Sequence, residues 1–253
     1  MSRARLKRAA LLCSLLGVLL AGVASAAVVE IDNLVLHADG GFTPRALPRS
    51  HYAPIEFQGE VDFAARDGGA PAALTQAVID FDRDGRLDVS GLPACAPELI
   101  AQASTDEARR SCAGAIVGKG RIEALVSLGG APVPASSPLT LFNGPRLATG
   151  PSVVIHARTS VPATQTYAIL VPIERRPGGF RYRATLNVPP IAGGAGAITH
   201  VKVKIGRRFD AGGRHRSYVA ARCSDGILAT HGRFSFADGM IIDGSVEKFC
   251  RAR

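Results

Sequence analysis

The chain predicts an all-β protein, an antiparallel β-sandwich with one short helical insertion, and three observations carry that expectation. Paired turn residues recur along it, among them Gly129-Gly130, Gly178-Gly179, Gly193-Gly194, Asp225-Gly226, Asp238-Gly239 and Asp243-Gly244. Such pairs supply the positive φ angles that tight hairpin turns demand. Between them lie short runs in which apolar residues alternate with polar ones, as in Val201-Lys202-Val203-Lys204-Ile205, the period of a strand with one face buried. Strands do not alternate with helical patterns, which argues against a doubly wound sheet.

The first residues read as an export signal. Arg3, Arg5, Lys7 and Arg8 precede an apolar run from Ala9 to Val23, closed by Ala24-Ser25-Ala26. A basic head, a short apolar stretch and a small-x-small site are the marks of a cleavable signal, with cleavage expected after Ala26. Cys13 lies inside the apolar stretch behind Leu12, where a lipid anchor would want a small residue. No later run is long enough to span a bilayer as a helix, so no transmembrane segment is expected after cleavage.

Removing residues 1–26 lowers the net charge of +9 to +5. The remainder is uneven. Residues 27–174 hold 11 basic and 16 acidic residues, and residues 175–253 hold 15 basic and 5 acidic. That asymmetry predicts a bipolar surface or one basic face.

Four cysteines remain in the mature chain: Cys95, Cys112, Cys223 and Cys250. An even count in an exported chain reads as two disulfides, and the sequential pairing is expected. A zinc site is the rival reading, but no C-x2-C pair is present.

Taken in order, Val28 to Leu36 reads as an edge strand around Asp32-Asn33, followed by a connector with Pro44, Pro48 and Pro54. Ile55 to Phe63 is a strand that Gly59 interrupts as a candidate bulge. Leu74 to Phe81 is the next, with Asp82-Arg83-Asp84-Gly85 as its turn. Residues 96–112 predict the helical insertion, since Pro97 suits a first turn and Ser104 with Glu107 has capping-box spacing. A disulfide clipping a loop of this length contributes about 3 kcal/mol in the chain-entropy treatment. From Ala115 the strands resume and continue to the C-terminus.

A faint internal repeat accompanies this grammar. Residues 68–81 align with 193–205, matching Thr75 to Thr199 and Ile79 to Val203. Each stretch follows a strand starting at Phe57 or Phe180, and each precedes a cysteine and then Gly120-Arg121 or Gly232-Arg233. The expected units are 55–128 and 180–236, within one sandwich-like domain over 27–253 or as two tandem domains.

Several runs carry a resemblance: DFDRDGRLDVSGLPAC, the cysteine before GAIVGKG, TYAILVPIERR, and CSDGILATHGRFSFADG. Together they resemble a group of exported two-disulfide proteins from high-GC bacteria with no assigned activity. The resemblance covers most of the mature chain and implies export. It offers no functional residue.

The sharpest motif is Asp80-x-Asp82-x-Asp84-Gly85, which opens like a calcium loop and places Asp88 at the ninth position. Its twelfth position is Gly91, where a bidentate glutamate belongs, and the preceding run is β-like. Alternate aspartates on the solvent face of a hairpin are the plainer reading, with calcium as the alternative and no other cofactor expected.

Arg181, Arg183, Lys202 and Lys204 alternate with apolar residues, and Arg207 and Arg208 follow. If their strands are neighbours, they form a basic face able to meet an anionic polymer of the cell envelope. The alternative is a solvated sheet face. Nucleic acid is not an expected partner, because export removes it and only Tyr182 and Phe180 offer stacking nearby.

Catalytic motifs are missing from the sequence: there is no G-x-S-x-G, H-E-x-x-H or P-loop. The six histidines, at 37, 51, 156, 200, 215 and 231, lack ligand spacing. With no Trp and four Tyr, the chain is poorly equipped for a sugar platform. The sequence therefore predicts a secreted or envelope-associated protein without catalytic activity, and a hydrolase whose site is assembled by the fold is the competing class.

Overall fold

The computed structural model describes residues 26–253; the expected export signal lies, apart from Ala26, outside them. Twelve strands build one antiparallel sheet. In chain order they are β1 (Ala27–Ile31), β2 (Leu34–Thr43), β3 (Glu56–Ala65), β4 (Leu74–Asp82), β5 (Ile116–Leu128) and β6 (Ala131–Asn143). The second six are β7 (Ser152–Thr159), β8 (Gln165–Arg175), β9 (Phe180–Asn187), β10 (Gly196–Ile205), β11 (Ile227–Phe236) and β12 (Ile241–Phe249). The spatial order is β1-β2-β3-β10-β5-β6-β7-β8-β9-β4-β11-β12.

The sheet folds over on itself, so the expected sandwich is realised as two facing layers of one continuous sheet. Phe57 of β3 meets Phe81 of β4 edge-on, with ring centroids 5.5 Å apart, although these strands share no ladder. Phe63 likewise packs on Phe234 and Phe236 of β11. The two outer strands then come together. A Cβ on Gly244 of β12 would lie 3.5 Å from Cγ2 of Val29 in β1, and Lys248 Nζ sits 2.7 Å from Asp39 Oδ1 of β2. The result is a flattened barrel with one seam that has no ladder.

The order of strands repeats after six. Its first half, β1-β2-β3-β10-β5-β6, corresponds place by place to β7-β8-β9-β4-β11-β12. Each half of the chain, 27–143 and 152–249, thus contributes six strands and lends its fourth to the other half. The registers agree with the repeat seen in the sequence. Val203 of β10 lies opposite Gly59 and Gly120, and Ile79 of β4 lies opposite Ala184 and Gly232. Ile79 and Val203 are equivalent, as are Gly120 and Gly232. The partner of Phe57 in this scheme is Tyr182, not Phe180, because a bulge between Phe180 and Tyr182 shifts the register.

Two local expectations need correction. Val28 to Leu36 is not one strand but a hairpin, with Asp32 at φ 51° in its turn. Gly59 is no bulge, since β3 pairs regularly through it with both neighbours. The glycines that shape the sheet are Gly118 and Gly120 of β5. Cβ atoms there would lie 2.6 and 2.2 Å from the carbonyl oxygens of Lys204 and Lys202. Only glycine lets β10 lie this close where the sheet coils.

The insertion between β4 and β5 holds the one α-helix among the described residues, α1 (Thr105–Ser111), flanked by 3-10 turns at Pro97–Leu99 and Ala113–Ala115. Its capping box is formed: Glu107 N–H donates to Ser104 Oγ and Ser104 N–H donates to the Glu107 carboxylate. Cys95–Cys112 clips the insertion, which packs Ile100 and Ala108 over Phe142 and Val154 on the outside of β6 and β7. The second disulfide, Cys223–Cys250, joins the segment before β11 to the end of β12. It anchors a small apolar end cap with Phe42, Leu47 and Ala221.

A candidate ligand cavity

Strand alternation sends one set of apolar side chains into the barrel from nearly every strand. Along β10, Val201, Val203 and Ile205 face in while Lys202 and Lys204 face out. Two buried clusters result, one around Phe63, Phe234 and Ile242, the other around Leu139, Val171 and Tyr182. Ile122, Leu186 and Val201 border both and are only partly buried. These inward aliphatic side chains are incompletely covered because the barrel encloses a cavity of about 450 Å³.

That volume lies within the range of small-molecule sites, about 300–1,000 Å³. Interiors are ordinarily close-packed. A wall of half-covered Ile, Val and Leu side chains is chemically suited to an apolar ligand and to little else.

Polar groups are confined to a few places on the lining. Lys248 points inward from β12 and pairs with Asp39, whose carboxyl burial alone would push up; the bonds from Lys248 and the Gly40 N–H bring it below its ordinary pKa. Asp82, at the end of β4, accepts from the backbone N–H of Asp84 and of Ala229, next to the Leu228 that pairs with Lys248. Burial raises its pKa despite those bonds. Tyr182 Oη accepts from Leu87 N–H at 3.4 Å. The Tyr218 hydroxyl is buried without a hydrogen-bond partner among the described residues, and burial pushes the phenol's pKa up. No histidine or cysteine lines the cavity among the described residues.

Comparison of the chain with protein-family models, curated proteins and solved structures finds no match.

The aspartate run folds as a turn whose carboxylates serve separate partners. Asp80 accepts a bidentate pair from Arg183, at 2.8 and 2.7 Å, which lowers its pKa. Asp84 is fully buried; burial opposes its charge, but bonds from Ser224 and Arg222 prevail and lower its pKa. Asp88 takes Arg216 at 2.8 Å and Ser90 N–H at 3.0 Å. Among the described residues, no group of three or more such side chains is arranged to hold a metal ion. The short strand Gly85–Leu87 after the turn pairs with Val219–Ala221 rather than back onto β4.

The structure divides the expected basic face. β9, with Arg181 and Arg183, lies between β8 and β4; β10, with Lys202 and Lys204, lies between β3 and β5. The premise that these strands are neighbours does not hold. Lys202 pairs with Glu60 and Lys204 with Glu56, each at 2.7 Å. Arg207 donates to the carbonyls of Ala113 and Ile116. Arg208 stays exposed on a hairpin formed by Arg208–Ala211 and Arg214–Ser217.

The histidines do not converge on a catalytic arrangement. His156 is buried on the outer face of β7 under the insertion, where Nε2 lies 3.2 Å from the Ala103 carbonyl and Nδ1 has no partner. His200 and His37 flank Asp62 on the outer sheet, at 2.6 and 3.5 Å.

Sequence reasoning missed the cavity, although a signal for it was present. A closed sheet of this many strands has an interior that Val, Ile and Ala cannot fill, and the chain contains no Trp. Recognising it required the strand count and closure together.

Proposed function

We propose that this protein is an exported, non-catalytic binding protein that holds an apolar ligand inside its barrel. The observation that carries the reading is the cavity of about 450 Å³ walled by half-covered aliphatic side chains. Two disulfides suit an oxidising compartment.

A hydrolase assembled by the fold draws little support, because the most buried histidine, His156, faces the insertion rather than the cavity. Contact with an anionic envelope polymer keeps a narrower base than the sequence suggested. It rests on the exposed, carboxylate-free Arg208 and Arg214 of the surface hairpin.

The test is binding of N-phenyl-1-naphthylamine, a neutral apolar fluorophore, to mature protein with both disulfides formed. Saturable enhancement at one site per chain is expected. Val201→Trp fills the cavity centre, so it should abolish the enhancement and raise the urea midpoint. No enhancement, or enhancement untouched by Val201→Trp, would overturn the reading.

A further inference from the structure

We propose that the natural ligand is a long-chain amphiphile with one carboxylate or phosphate headgroup, held by Arg86 and Arg181 where they gather over Tyr52. This rests on the cavity reading above and adds the polar half of the ligand.

Tyr52 lies in the proline-rich connector between β2 and β3. Three guanidinium carbons, those of Arg86, Arg181 and Arg222, each lie 5.5 Å from the centre of its ring. They come from three distant stretches: the short strand after β4, the start of β9, and the segment just before Cys223. The ring face attracts each cation, yet gathering like charges around one ring is unfavourable unless anions are near.

The neighbouring carboxylates are already assigned. Arg222 is held by Asp84, Arg83 by Asp225 and Arg183 by Asp80. Arg181 donates its Nε to the carbonyl of Arg83, and among the described residues no carboxylate lies within ion-pair distance of its terminal nitrogens. Arg86 likewise has no carboxylate partner among the described residues. Two guanidinium groups therefore stand 5.5 Å from the centre of one ring with their outer nitrogens uncommitted among the described residues.

Their position completes the argument. Arg86 contributes to the cavity lining together with Asp82, Gly85 and Leu87, and is itself exposed. The arginine cluster thus stands where the apolar interior meets the surface. A tail inside the barrel would bring its headgroup to these guanidinium groups, whose planar geometry matches a carboxylate or phosphate in bidentate fashion. An extended polyanion would instead need a row of cations along the surface. Lys202 and Lys204 do not provide one, being paired with glutamates.

The experiment displaces N-phenyl-1-naphthylamine from the mature protein with oleate, oleoyl lysophosphatidate or oleyl alcohol, which share one tail. At least one of the two acids should displace the fluorophore at about tenfold lower concentration than the alcohol, the worth of a charge-assisted hydrogen bond. Whichever acid leads identifies the headgroup. In Arg86→Gln/Arg181→Gln the ratio between the acids and oleyl alcohol should fall to about one, whatever the alcohol's own affinity. In the unsubstituted protein the advantage should shrink as salt rises, which tests the charge without relying on a variant's folding.

Equal displacement by all three ligands would overturn the headgroup site and leave the cavity reading standing. So would a double variant that loses retention on heparin but keeps its preference for the acids, which would mark the cluster as a polyanion contact. If the fluorophore itself does not bind, the cavity reading fails, and the headgroup site with it.

Discussion

Between β6 and β7 the two halves of the barrel are joined by five ladder pairs, from Val153↔Asn143 to Ala157↔Leu139. The equivalent place on the other side, between β12 and β1, has no ladder among the described residues; there Val29 faces the bare backbone of Gly244, and Lys248 of β12 reaches past to Asp39 of β2. The first junction is also covered from outside by the clipped insertion; the second is bare. Val28 and Ile31 of β1 and Ile241 and Phe249 of β12 are four of the six large apolar side chains left exposed among the described residues. The repeat thus closes its wall twice with the same strands and secures only one closure. If the barrel holds a ligand as proposed, this unladdered seam is the weakest place in its wall.

The largest expected difference between the junctions is in buried volume. Phe142 is fully buried between β6, β7 and the insertion, so Phe142→Ala should cost about 3–5 kcal/mol. Val29→Ala at the seam should cost about 1 kcal/mol or less, because that side chain is only half covered. Urea unfolding of both variants measures the contrast, and equal losses would break it.

A middle-sized effect is expected from the charge pair at the seam. Asp39→Asn removes the carboxylate that sits 2.7 Å from the inward Lys248 ammonium. Breaking a fully buried pair costs about 3–5 kcal/mol. Asp39 is 48% exposed, so about 2 kcal/mol is expected here. Lys248→Met removes the buried charge itself and should cost less than Asp39→Asn. The reverse order in urea midpoints would show that the pair does not hold the seam.

The smallest effect is a pH dependence on the covered side. Burial lowers the pKa of His156 from its ordinary value of 6.5, and Arg158 and Arg109 act in the same direction; the Ala103 carbonyl opposes them. The unfolded chain therefore takes up a proton that the folded one resists. The stability from neutral His156 is fully present above about pH 6.5 and is lost as pH falls from there through the folded pKa, by at most about 1.4 kcal/mol per pH unit. His156→Gln should flatten that slope between pH 7.5 and 5. An unchanged slope would assign it to other groups.

Much of the fold was legible because β structure writes its turns and alternation locally. Ser104 and Glu107 cap α1 as their spacing predicts, and the two disulfides close as expected from their short separations. What escaped was non-local. Lys202 and Lys204 face outward, as alternation requires. Their neutralisation by Glu60 and Glu56, however, depends on β10 lying against β3, more than a hundred residues away. The asymmetry of the seam and the gathering at Tyr52 have the same origin, since each joins stretches that no local pattern relates. The repeat was visible in Ile79 and Val203, but not that each half gives a strand away.

That gift of strands governs how the chain must assemble. Until residues 196–205 are available, β3 and β5 have no partner between them, and the pairing that closes the gap spans separations such as the 142 residues from Glu60 to Lys202. Loop-closure entropy must be met before such contacts return anything, so folding is expected on the order of milliseconds to seconds rather than microseconds. Throughout that interval two strand edges lie open, ready to pair with another chain as readily as with their own. The yield on refolding should therefore fall with protein concentration, limited by intermolecular strand pairing more than by the stability of the finished barrel.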